Sequence, residues 1–262
     1  MPALLPRFAL AAVASLMPLA HGHAEPPSVL TARTLSSPMA GAGFPGFAPI
    51  GALMWQGVDG RPDKRLCSAA AVRSPGGDLI VTAAHCVRAV RTGRGPMTVA
   101  YVPGYHGGAM PFGYWIPTKI IRDAAAARGA DPDRDVAFIV VSHAGSARRL
   151  ESVTGAEHLG LAPVAHSFGV LVGYPDRAPD PIACRNRVKY RSATRLEFDC
   201  AGFSSGTSGG PLLTNVSRAT GIGTLVGVIG GYEDGGRRSF VSYSSMFGEA
   251  VAALYSVACD DS

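Results

Sequence analysis

The chain has 262 residues, 47% of them hydrophobic and 16% charged, with 33 glycines and 20 prolines; this is a globular composition, long enough for one large or two small packed units. The formal net charge of +5 is scattered, with no dense basic run and no interleaved aromatics, which argues against a nucleic-acid partner and for a solvated surface. Outside the N-terminus no apolar run approaches the length of a membrane helix, and Cys-x-x-Cys spacing is absent, so neither a membrane partner nor a metal or other cofactor is expected.

In chain order, Arg7 precedes an apolar run from Phe8 to Ala20 that only Ser15 and Pro18 interrupt, the pattern of a secretory signal. Gly22-His23-Ala24 puts small residues before a cleavage point, so residues 1–24 are expected to leave and the product to be secreted. Residues 25–47, rich in Pro, Ala, Ser and Gly without a period, read as a pro-segment or flexible lead-in. Export permits disulfides, and five cysteines are present. Sequential pairing joins Cys67 to Cys86 and Cys184 to Cys200, each closing a loop worth about 3 kcal/mol in the chain-entropy model, and leaves Cys259 over.

From Pro49 onward, short apolar or alternating runs recur between turn signals. They include Ile50–Trp55, Ala69–Val72, Leu79–Ala83, Met97–Val102, Tyr114–Ile121, Val136–Val141 and Ser167–Val172. After a Pro-rich loop come Arg187–Tyr190, Arg195–Phe198, Leu212–Thr214, Thr224–Ile229 and Ser239–Tyr243. Many short strands at such spacing point to an all-β barrel or sandwich rather than a βαβ sheet. The segment Ser245–Ala258 departs from this, with Phe247, Val251 and Leu254 on one helical face and Ser244 or Ser245 available as a cap. A C-terminal helix is expected there, and a short helix over Ala124–Ala127.

Three stretches carry chemistry. The run opening at Leu79 ends in Thr82-Ala83-Ala84-His85-Cys86, placing a histidine at a strand end beside a disulfide-forming cysteine, a rigid setting for a general base. Asp135 closes Asp131-Pro132-Asp133-Arg134-Asp135 and directly precedes the run Val136–Val141, so it sits at a strand mouth where it can accept from a histidine N–H. A calcium loop would also use such carboxylates, but Pro132 and Arg134 do not suit one. Gly206-Thr207-Ser208-Gly209-Gly210-Pro211 presents a hydroxyl at a sharp turn, and the N–H groups of Gly206 and Ser208 can converge as an oxyanion hole.

Order separates the hydrolase folds. Gly-x-Ser-x-Gly is also the nucleophile elbow of α/β-hydrolases, but that fold needs its histidine after the serine, and no histidine follows His166. The order His85, Asp135, Ser208 is that of the chymotrypsin type.

Thr-Ala-Ala-His-Cys, Asp-Val-Ala-Phe and Gly-Thr-Ser-Gly-Gly-Pro together resemble the three active-site blocks of the trypsin/chymotrypsin-like serine proteases, and most of all their compact secreted bacterial branch, which includes glutamyl endopeptidase-like enzymes. The resemblance implies two antiparallel six-stranded Greek-key β-barrels, over residues 48–150 and 151–262, with a C-terminal helix. It implies a His85/Asp135/Ser208 triad, an oxyanion hole from Gly206 and Ser208, and Gly230, Gly231 and Tyr232 bordering the substrate. It further implies a polypeptide substrate, no cofactor, and a bridge between Cys67 and Cys86 beside the catalytic histidine, with Cys184–Cys200 in the second barrel. A monomer is the default expectation.

Three features depart from trypsin. Thr207 replaces the aspartate that pairs with a freed N-terminus in trypsin-like zymogens, Ser204 stands where trypsin has a cysteine, and Gly202 where its pocket aspartate lies. Asp199 or Glu233 could supply an acid to the pocket instead, and Ile229 stands where glutamyl endopeptidases carry a pocket histidine. The alternative from another class is a secreted binding protein on a protease-like fold.

Overall fold

The computed structural model describes residues 39–95, 97–127, 131–161 and 166–262; the expected signal peptide and residues 25–38 lie outside them. Strands β1 (Ile50–Gln56), β2 (Pro62–Ala71), β3 (Leu79–Thr82), β4 (Val99–Pro103), β5 (Trp115–Arg122) and β6 (Ala137–His143) close a barrel in the order β1-β2-β3-β6-β5-β4. Strands β1, β3, β4 and β6 and the second half of β2 are apolar almost continuously, and the two packing faces explain why. Leu53, Ala71, Ile80, Ala137, Ile139 and Val141 belong to one core with Tyr101 and Trp115. Their sequence neighbours Ala52, Met54, Leu79, Val81, Phe138 and Val140 belong to a second core that reaches into the other half of the molecule. A strand buried on both faces has no reason to alternate.

The second half is built differently. Strands β7 (Phe168–Gly173), β8 (Ile182–Arg187), β11 (Pro211–Thr214) and β12 (Thr224–Val228) pair in the order β8-β7-β11-β12. Two-residue strands complete a six-stranded sheet, Ala42–Gly43 on β8 and His158–Leu159 in parallel on β12. Strands β9 (Lys189–Ser192), β10 (Arg195–Asp199) and β13 (Val241–Ser245) form a separate three-stranded sheet. The two sheets share a core of Leu171, Leu196, Phe198, Leu212, Val226 and Ile229. They are stitched by Ser244 Oγ, which accepts from Val228 N–H at 3.0 Å. The Cys67–Cys86 and Cys184–Cys200 disulfides are both formed, and Cys259 is a partly buried free thiol. The expected pair of barrels is thus one hydrogen-bonded ring and one pair of sheets around a common core.

Two local expectations are corrected. Residues 39–47 do not continue a loose lead-in: Ala42 and Gly43 pair with Ala183 and Ile182, and the Phe44 and Phe47 rings meet edge to face at 4.9 Å. The C-terminal helix runs Glu249–Asp260 with Gly248 before its first turn, so Ser244 and Ser245 are not its cap. Both serines are drawn into β13, where they pair with Leu196 and Arg195. The apolar face itself is as expected, with Phe247, Val251, Leu254 and Tyr255 packed on the barrel and the Tyr255 and Phe138 rings 5.5 Å apart. Among the described residues no helix is long and apolar enough to cross a membrane.

Candidate active site

His85 lies on a one-turn 3-10 helix, Ala84–Val87, immediately after β3, and the neighbouring Cys86 ties that turn to β2 through Cys67. Asp135 follows the 3-10 turn Pro132–Arg134 and leads into β6, the strand paired with β3, so strand pairing brings the two together. The Asp135 carboxylate is 5% exposed and receives three hydrogen bonds. Oδ2 accepts from His85 Nδ1 at 2.7 Å and from Gly231 N–H at 2.7 Å, and Oδ1 accepts from His85 N–H at 2.7 Å. Burial alone would raise this carboxyl, but the His85 ring and the two backbone donors hold it below the ordinary carboxylate value. Held so, Asp135 fixes His85 with its proton on Nδ1, which leaves Nε2 as the acceptor.

The other acids of that loop have separate partners. Asp131 accepts from Asp133 N–H at 2.9 Å, Asp133 takes the Arg195 guanidinium and the Thr194 hydroxyl, and Arg134 reaches Asp123 at 2.8 Å. These carboxylates fasten the loop to β10 and to the segment after β5 instead of converging on one point, as a calcium loop requires.

The Ser208 turn docks on β2 and β3. Ser68 N–H donates to the Ser208 carbonyl at 2.7 Å, and a Cβ on Gly209 (φ +79°) would collide with Thr82 Oγ1 and the Ser68 carbonyl. Only glycine fits there, and that closeness sets the Ser208 turn against the segment that ends in His85. The two peptides that carry the Gly206 and Ser208 N–H groups are held from behind. The Ser205 carbonyl accepts from Asp176 N–H at 2.8 Å, and the Thr207 carbonyl from Gly210 N–H at 2.9 Å. In a trans peptide the N–H points opposite to the carbonyl, so these bonds aim the Gly206 and Ser208 N–H groups the other way. Neither N–H has a partner among the described residues.

Ser68 was not legible as a site residue. It is fully buried, its hydroxyl donates to the Gly206 carbonyl at 2.9 Å and accepts from Tyr174 N–H at 2.9 Å, and its carbonyl accepts from Thr82 Oγ1 at 2.8 Å. The one available signal was its place next to Cys67. Thr207 bonds locally, its hydroxyl donating to the Ser204 carbonyl at 2.7 Å.

A cavity of about 500 Å3 opens beside Ser208, lined by Phe203, Thr207, Ile229, Glu233, Arg237 and Arg238 among others. Of the two acids considered for the pocket, Glu233 lines it, whereas Asp199 is ion-paired with Lys189 and does not. Gly230, Gly231 and Tyr232 do not line this cavity, and the two glycines meet Asp135. Gly231 N–H holds the carboxylate, a Cβ on Gly230 would sit 2.8 Å from its Oδ2, and the Tyr232 ring meets Tyr243 edge to face at 5.2 Å.

The fold is that of the chymotrypsin-like class. Protease Anisep from Arthrobacter nicotinovorans is similar at 19% identity and a TM-score of 0.69, covering 84% of this chain and 100% of that one. The thermostable serine protease AL20 from an extremophilic microorganism is 22% identical with a TM-score of 0.67, covering 82% and 98%. A Glu endopeptidase is 14% identical with a TM-score of 0.63, covering 85% and 97%. A search of curated proteins by sequence found no match. Residues 67–222 match the trypsin-like peptidase domain, so the chain belongs to the trypsin-like peptidase family and is a hydrolase of the serine-peptidase type.

Proposed function

We propose that this chain is an exported serine endopeptidase working through an acyl-enzyme on Ser208. The observation that carries the reading is the Asp135 carboxylate, bonded at 2.7 Å to the His85 ring while the Ser208 turn is docked against the segment leading to that histidine. Ser208 Oγ attacks the scissile carbonyl as His85 Nε2 takes its proton, and the oxyanion is received by the Gly206 and Ser208 N–H groups. The intermediate collapses with the proton passing from His85 to the leaving amine; water, deprotonated by the same nitrogen, then releases the acyl group. Asp135 orients the ring and stabilises the imidazolium that forms. The engagement of the Gly230 and Gly231 N–H groups within the protein leaves the Gly230 carbonyl and the Tyr232 N–H to pair with the substrate backbone. Export rests on the signal pattern of residues 1–24, and two disulfides accord with an oxidising compartment. Residues 25–38 would then be removed or left as a lead-in.

A fluorophosphonate probe and a peptide-library digest test this directly. Wild-type protein is expected to label on Ser208 and to cleave, and Ser208→Ala to do neither while melting at the same temperature. Correctly folded wild type that neither labels nor cleaves would replace the enzyme with a binding protein on this fold.

A further inference from the structure

Along the 185–195 stretch, most of the cations are neutralised. Lys189 pairs with Asp199, Arg191 with Glu197 and Arg195 with Asp133. Arg185 and Arg187 are different: among the described residues neither has a carboxylate within ion-pair distance. Two positions apart on β8, they share one face of the strand, and both stack on the ring of Phe168 across on β7, at 4.2 and 4.6 Å. That ring is 44% exposed. Like charges on one exposed aromatic repel each other, and an anion placed between them relieves the repulsion.

The patch borders a surface cavity of about 940 Å3 whose floor is apolar, with Val170, Leu213 and Val216, and whose rim adds a third guanidinium, Arg218, that among the described residues also has no ion pair. Among the described residues no acidic side chain lines it. An apolar floor under a cationic rim suits a ligand that carries carboxylates and apolar side chains together. β11 runs from the Ser208 turn towards this cavity, and the six steps from Ser208 to Thr214 span at most about 22 Å.

We propose that Arg185, Arg187, Arg218 and Phe168 form a binding site for acidic polypeptide segments, separate from the site at Ser208. A polypeptide held there by alternating acidic and apolar residues would have its neighbouring stretch within reach of the catalytic cleft.

The test measures binding, so it does not depend on whether Ser208 is the nucleophile. The probe is a dye-labelled peptide of alternating Glu and Leu, followed by fluorescence anisotropy against the secreted Ser208→Ala chain, with the matching Gln/Leu peptide as control. Arg185→Glu with Arg187→Glu is expected to weaken the acidic peptide by about tenfold or more, and Phe168→Ala by several-fold. Lys64→Glu with Arg148→Glu changes the net charge equally at exposed positions in the first barrel and is expected to stay within about twofold. Equal weakening by both pairs would reduce the effect to net charge and overturn the site, as would equal binding of the Gln/Leu peptide or no saturable binding. Saturable binding of a mixed-sequence oligonucleotide instead of the peptide would also overturn the assignment to polypeptides.

Discussion

Two carboxyl groups are buried where the halves of the molecule meet, and they behave oppositely. Asp135 and Glu157 are 5% and 0% exposed, and each accepts a backbone N–H from the second half, Gly231 for one and Gly223 for the other. Asp135 has two further donors in the ring and the N–H of His85, and its carboxyl is held below the ordinary range. Glu157 has Gly223 N–H at 2.6 Å on Oε2 and, among the described residues, nothing on Oε1, so burial prevails and its carboxyl rises from an ordinary 4.5 to about 8. Burial pushes both the same way, so it does not decide which one is charged. The number of donors, and a partner that can itself carry charge, decides it. Of these two, only the carboxyl beside His85 is kept as an anion at neutral pH.

The sharpest way to break the comparison is to remove the charge from Asp135 without changing its shape. Asp135→Asn retains an acceptor but presents an amide to His85 Nδ1, which favours the wrong tautomer. Loss of about 10^4-fold in kcat is expected, with KM little changed, measured on a peptide substrate taken from the library digest. A loss under tenfold would mean that the 2.7 Å contact does not set the ring's tautomer, and the triad reading would fall.

The same comparison predicts opposite pH dependences of stability. The depressed Asp135 carboxyl contributes stability that is present above the ordinary carboxylate value and lost as pH falls through its folded value. The raised Glu157 carboxyl does the reverse. Its contribution is complete below 4.5 and is lost as pH rises towards about 8, at about 1.4 kcal/mol per pH unit over that window. Glu157→Gln mimics the protonated form, so its Tm is expected to hold between about pH 5 and pH 8 where the wild type's declines, with kcat unchanged. Parallel Tm curves for the two proteins would show that Glu157 does not titrate in that window.

How far these features were legible in the sequence follows from what determines each. His85, Asp135 and Ser208 stand in short runs where local pattern and chain order carry the information, and the structure brings the segments that bear them together. The barrel strands were legible because apolar runs between turns survive burial on both faces. The helix start was missed because Ser244 and Ser245 satisfy a capping pattern locally but are claimed by pairing with Leu196 and Arg195, a contact some fifty residues away in sequence. Partners at such separation leave no local trace. Gly231 on Asp135, Gly223 on Glu157 and the supports of the Ser208 turn all belong to that class.

Ser68 gives the smallest and most discriminating effect, because it touches neither the carboxylates nor the reacting atoms. Its hydroxyl bridges Tyr174 N–H and the Gly206 carbonyl, holding Gly206 at φ +92°, where an added Cβ would collide with Asp176 and the Tyr174 carbonyl. Ser68→Ala leaves a buried donor and a buried acceptor unpaired, and frees the Gly206–Thr207 peptide to rock. The Gly206 N–H is still aimed by Asp176 through the Ser205 carbonyl, so the loss should fall short of the 10²–10³ expected for deleting an oxyanion donor, at about tenfold in kcat. A merely structural role would lower Tm without singling out the transition state. The affinity of a reversible peptide boronate, which places an anionic oxygen in the hole, should therefore fall by the same factor as kcat, while KM stays put. Boronate affinity unchanged alongside a tenfold loss in kcat would separate Ser68 from the oxyanion hole and leave it as a packing residue of the first barrel.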